Sequence, residues 1–229
     1  MIRNLKALGL ALVAVFAMSA MAASAASAQQ GTLTSTGPVT LVGADEAGTK
    51  SILTAFGEET ICSATYTGHR YNVTPHEPIP VPATTFTITP FYTGCTTKGL
   101  PTTVTMNGCD YDIHIGVTIA PLGSGRYNGT ADVTCPKGKV IEVHVYLSSK
   151  HEALACTVKV GEQLGKTGVV IQNIAGEKGT LGGPVEGISA EKEGLCGKES
   201  TTTAKEDIDV TVEGRNSKNE FTGISVTHP

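Results

Sequence analysis

The chain has 229 residues, 17 basic against 21 acidic, and combines 32 Thr and 27 Gly with no Trp. A net charge of −4 without any cluster of Lys or Arg argues against nucleic acid or an anionic membrane surface as partner, since both reward grouped positive charge. Thr, Val, Ile and Tyr joined by frequent Gly make up the composition of pleated, half-buried strands and tight turns, so the expected fold class is all-β.

The chain opens with Arg3 and Lys6, an apolar run from Ala7 to Ala17 and a tail of small residues, the pattern of a secretory signal peptide. The small-x-small triplet Ala26-Ser27-Ala28 marks the cleavage point, with Ala22 as the rival, and defines a leader of residues 1–28. Loss of Arg3 and Lys6 leaves 15 basic and 21 acidic residues, a charge of −6. The apolar run is shorter than the roughly 20 residues of a membrane span, so no membrane insertion is expected. No Cys sits near the cleavage point for a lipid anchor, and "GISVTHP" lacks a wall-sorting tail. The expected location is secreted or extracellular, or in the cell envelope through non-covalent contacts with envelope or polysaccharide.

Strand-like runs then recur every 8–12 residues or so, the spacing of a sandwich or barrel. In chain order they are Gly31–Thr36, Val39–Val42, Ser51–Phe56, Thr60–Thr67, Thr84–Phe91, Thr102–Met106, Cys109–Ile119, Arg126–Cys135 and Lys139–Leu147, followed by Cys156–Val160, Val169–Ile174, Val185–Ala190, Ile208–Glu213 and Glu220–Thr227. The segment "NVTPHEPIPVPATT" carries four prolines and is expected to cross as an extended loop rather than enter a sheet. These signals predict an antiparallel β-sandwich of meander or Greek-key type. A division near residues 148–155 would separate an N-terminal lobe, 29–150, from a smaller C-terminal lobe, 151–229; the alternative is one continuous sandwich.

Export makes the six Cys three expected disulfides. No C-x-x-C pair occurs, so a zinc ribbon or thioredoxin-like site has no support. Asn107-Gly108, between alternating runs, predicts a type I′ hairpin with Val104 facing Tyr111. A turn centred near Leu122 sets Cys109 opposite Cys135, Tyr111 opposite Val133 and Ile113 opposite Ala131, with apolar or small residues meeting at each step. This register predicts a Cys109–Cys135 bond; closing four Cys within the first part and two within the second then leaves Cys62–Cys95 and Cys156–Cys196. Pro136-Lys137-Gly138 predicts a third hairpin, pairing Val133 with Ile141.

Taken together, these registers align Asp112, Asp132 and Glu142 in one row of the wet face, with His114 and His144 in the next. Such a row would suit a divalent cation, calcium through the carboxylates or zinc through the imidazoles; the competing reading is a solvated face with the carboxylates pointing apart and no cofactor. The first function reading is a secreted, non-enzymatic structural or binding module, with partner unknown. Two alternatives use the Asp112/Asp132/Glu142 face: an extracellular hydrolase or lyase, and a calcium-dependent carbohydrate-binding module.

No other catalytic signature is complete. "GISAE" fails the serine-hydrolase elbow at its last position, and His151-Glu152 lacks the second His of H-E-x-x-H because position 155 is Ala. The "TVTMNGCDY" segment and the Thr-rich strands resemble uncharacterised exported Thr-rich β proteins of high-GC Gram-positive bacteria. That resemblance carries no activity and no functional residue.

Overall fold

A computed structural model describes residues 30–73, 76–119 and 124–227; the expected leader and the centre of the turn at 120–123 lie outside them. The described residues form fifteen strands and no helix: β1 (Thr32–Ser35), β2 (Thr40–Asp45), β3 (Ser51–Ala55), β4 (Glu58–Arg70), β5 (Thr85–Thr97), β6 (Leu100–Thr105), β7 (Asp110–Thr118), β8 (Arg126–Thr134), β9 (Ile141–Tyr146), β10 (Leu154–Val160), β11 (Gln163–Ile174), β12 (Lys178–Gly194), β13 (Glu199–Arg215), β14 (Phe221–Thr222) and β15 (Ile224–Thr227).

The pairings reduce this list to a simple plan. β2 and β3 are both antiparallel to β4 and β13, so they are two halves of one run, interrupted at residues 46–50. β6 and β7 likewise share β5 as a neighbour. β8 and β9 continue each other beside them, and β10 and β11 beside those. With β4, β5, β12 and β13 unbroken, the sheet consists of eight antiparallel runs in chain order, and the last pairs with the first. The expected antiparallel meander is therefore present, and its two layers join at both sides into a closed up-and-down barrel without a free edge. The ladder does not break near residue 150, because β9 pairs with β10 and β8 with β11. The described strands on either side of residue 150, β1 and β15 aside, share one sheet.

Period-two alternation decides what fills the barrel. Phe86, Ile88, Ile113, Ile115, Ile171 and Val210 point inward and are buried, whereas Glu59, Glu142, Glu191, Asp207 and Asp209 stand on the outer side at alternating positions. Apolar inside and charged outside is the reverse of a lipid-facing barrel. A ribbon of β1 and β15 closes one end, burying Leu33, Ile224 and Val226. The proline-rich loop between β4 and β5 packs over the same end through isolated bridges from Val39 to Ile79 and from Leu33 to Ala83.

Where a run is interrupted, backbone groups lose their ladder partners, and side chains replace them, as buried N–H and C=O groups require. Asp45 accepts the Ala64 N–H at 2.7 Å beside the break between β2 and β3. Gln163 exchanges two hydrogen bonds with the Ser189 backbone. Asn107 Nδ2 reaches the Val140 carbonyl at 2.9 Å, tying together two neighbouring breaks.

Two predicted hairpins are corrected by this plan. Asn107-Gly108 does form a left-handed turn, with φ of 54° and 83° and Cys109 N–H bonding the Met106 carbonyl. However, β6 does not pair with β7; both lie along β5. The Pro136-Lys137-Gly138 turn closes locally through Lys139 N–H and the Pro136 carbonyl, yet β9 continues β8 rather than folding back on it. A tight turn within a run shifts register without reversing the chain, as a bulge does. The β7–β8 register is the one read from sequence, Tyr111 opposite Val133 and Ile113 opposite Ala131.

Three disulfides are present: Cys62–Cys95, Cys109–Cys135 and Cys156–Cys196. The first joins β4 to β5, and the second joins the two breaks flanking β7 and β8. Replacing Cys109 and Cys135 together by Ser is expected to lower unfolding free energy by about 3.5 kcal/mol, the loop-closure value for a separation of 26 residues. Urea unfolding of the double variant checks this, and an unchanged midpoint would refute it.

Candidate functional site

Asp112 and Asp132 face each other across β7 and β8, as the register requires. Their carboxylates serve different partners. Asp112 is buried and accepts the Thr87 hydroxyl at 2.5 Å; burial raises its carboxyl above the usual range, against the opposing pull of hydrogen bonds from Thr87 and Thr134. Asp132 holds His114 Nε2 at 2.9 Å through one oxygen and accepts the Gly165 N–H at 2.5 Å through the other. The second bond caps a register shift in β11, which gives Asp132 a structural task.

Glu142 and His144 do not join this row. Because β9 extends β8 instead of lying beside it, Glu142 stands opposite Thr105 and Lys159, and His144 opposite Thr103 and Thr157. The face proposed for hydrolysis or calcium-dependent sugar binding is therefore split between two halves of the barrel.

A different polar cluster assembles close to Asp112. His69, at an outward position near the end of β4, is covered by the proline-rich loop, and His76 of that loop stacks on it with ring centres 3.6 Å apart. Donor atoms of His69, His76 and Asp110 all lie within 4.8 Å of one another. They line a cleft of about 340 Å³ with Asn72, Thr87 and Asp112. Burial holds the His69 imidazole below its usual value, against the opposing effect of its bond to the Arg70 carbonyl. The sequence signal was slight: His69 falls in the outward phase of a Thr-rich strand, and only the fold-back of the loop brings His76 to it.

The barrel interior changes character along its axis. The end closed by β1 and β15 is packed solid by Leu, Ile and aromatic side chains, leaving about 40 Å³. The waist is polar. Glu206, buried on β13, accepts the Tyr92 hydroxyl at 2.5 Å, and the Tyr111 hydroxyl bonds the same carboxyl. Beside them Ser51 links Tyr66, at 2.6 Å, to Asp45, at 2.9 Å. Burial raises the Glu206 carboxyl, against the two tyrosine hydrogen bonds, and burial followed by the Glu206 charge raises both phenols.

Beyond the waist the inward residues are short: Ala55, Thr60, Thr97, Val143, Val145 and Val158. An eight-stranded barrel is just wide enough for large side chains to fill or for one small ligand to enter, and here a cavity of about 370 Å³ remains. At its mouth Lys98 pairs with Glu58 at 2.5 Å, and Lys192 pairs with Glu199 at 2.7 Å while lying over the Phe56 ring. Leu195 lines the cavity and is 78% exposed. It is held as a lip by its N–H bond to the Ala155 carbonyl and by the adjoining Cys156–Cys196 bond. Comparison of the chain with protein-family models, with curated proteins and with solved structures returns no match.

Proposed function

We propose that the protein is an exported binding module, acting by sequestration rather than catalysis, whose open barrel end takes one small apolar molecule. The observation that carries this reading is the 370 Å³ cavity, within the usual range of ligand sites, at one end of a barrel whose other end is filled. Lys98 pairs with Glu58 and Lys192 with Glu199 at the rim, Glu58 keeps one buried oxygen without a partner among the described residues, and the mainly apolar lining below them, with Phe56 and Leu195, orients an occupant by shape and contact. Three disulfides are consistent with an oxidising compartment, and the leader-like residues 1–28 support export.

A fluorescence titration with the uncharged apolar dye N-phenyl-1-naphthylamine tests this. The disulfide-bonded chain is expected to give a saturable, one-to-one enhancement that persists in molar salt, since apolar burial is not screened. Absence of saturable enhancement would overturn the proposal.

A further inference from the structure

The two ring nitrogens of His69 pose a proton-counting problem. Nδ1 lies 3.3 Å from the Arg70 carbonyl oxygen, and Nε2 lies 3.2 Å from Thr89 Oγ1. The Thr89 hydroxyl proton is already given to Asp110 Oδ1 at 2.5 Å. Both nitrogens therefore face oxygen atoms acting as acceptors, whereas a neutral imidazole has only one N–H to give. With one N–H on the ring, the other nitrogen is left with a lone pair against an oxygen. With Nδ1–H on the carbonyl, Nε2 keeps a lone pair on the side of Thr89 and its partner Asp110. An imidazole whose other N–H is fixed by a backbone carbonyl is the usual arrangement of a metal-bound histidine.

We infer that His69, His76 and Asp110 bind a zinc-like divalent cation, with water or a small anion in the fourth position. Two imidazoles and one carboxylate match the ligand preference of zinc, whereas calcium takes six to eight oxygens. Zinc bonds of about 2.0–2.1 Å place ligand atoms roughly 3.3 Å apart, so donors within 4.8 Å need only modest closing. His76, on the loop, supplies that movement by unstacking from His69. The site lies near the far end of β4 from the cavity, about 30 Å from Thr60 along the strand at 3.3 Å per residue, so the ion would pin the proline-rich loop and not the apolar ligand.

The test uses the full disulfide-bonded chain, free of added histidines, titrated with zinc chloride alone. One equivalent is expected to bind and to raise the melting temperature, because a ligand held only by the native state stabilises it. Binding should weaken as pH falls, because protons compete with the metal for the imidazole lone pairs. His76→Ala, at an exposed position, should fold normally and lose roughly 100-fold or more in zinc affinity, an effect no smaller than that of losing a second-shell partner; Asp110→Asn should also weaken binding. Cobalt(II) should give the visible absorption of a four-coordinate site. No zinc-dependent rise in melting temperature, unchanged affinity in His76→Ala, or a calcium effect equal to that of zinc would each overturn the assignment.

Discussion

Glu206→Ala is expected to lower the unfolding free energy by about 3–5 kcal/mol. The substitution removes the acceptor that Tyr92 and Tyr111 share inside the barrel, leaving at least one buried hydroxyl proton unsatisfied at a cost of about 1–3 kcal/mol, and it leaves a void where the side chain stood. The same residue gives stability a defined pH dependence. Its folded pKa is raised above the unfolded value, so the native state holds a proton that the unfolded chain has released. The associated stability is fully present below the ordinary glutamate value of about 4.3 and is lost as pH rises through the raised folded value. Glu206→Gln keeps an acceptor but cannot titrate, so its urea midpoint should lose this component of the pH dependence. Urea melts of the wild type and both variants across acidic to neutral pH check the two expectations. A Glu206→Ala midpoint equal to wild type would remove the waist network from the account of stability.

Val158→Trp is expected to reduce affinity for an apolar probe by about 100-fold, or about 2.7 kcal/mol. Val158 lines the cavity, and an indole there fills space the ligand needs. Because the cavity has room, overpacking strain is avoided, and stability should change by less than about 1.5 kcal/mol. A matched control, Thr130→Trp, stands on the outer side of β8 and should leave probe binding intact. Loss of binding in both variants, or in neither, would argue that the probe sits elsewhere.

What could be read from sequence follows from which forces are local. The β7–β8 register was legible because apolar residues at Tyr111, Ile113, Val133 and Ala131 alternate about a common turn, and a one-residue slip would turn them all outward. The Cys109–Cys135 pair belongs to that register. The Asn107-Gly108 and Pro136–Gly138 turns form as their residues dictate, but turn chemistry fixes backbone angles and not the identity of the strand alongside. Reading each as a chain reversal placed Glu142 and His144 beside Asp112 and Asp132, when they lie further along the barrel run that carries Asp132.

The sites themselves depend on closure. "ESTTTAKEDID" shows little apolar alternation, so the first half of β13 and Glu206 were not marked as interior; they become so only because β13 pairs back with β2 and β3. His69 and His76 meet through a loop whose path no periodicity specifies. The cavity arises because the short side chains of Val143 and Val158, neighbours on β9 and β10, and that of Ala55 on β3 line one space inside the barrel, a relation invisible strand by strand.

The central claim is that the open barrel end is a ligand site. Its most direct test is a methyl-resolved NMR titration of the disulfide-bonded chain with 1-decanol. The account predicts saturable shifts for Val143, Val145, Val158 and Leu195, with Val169, Leu181 and Val210 of the packed end unmoved. Shifts confined to the packed end, shifts spread evenly over both ends, or none at all would contradict it.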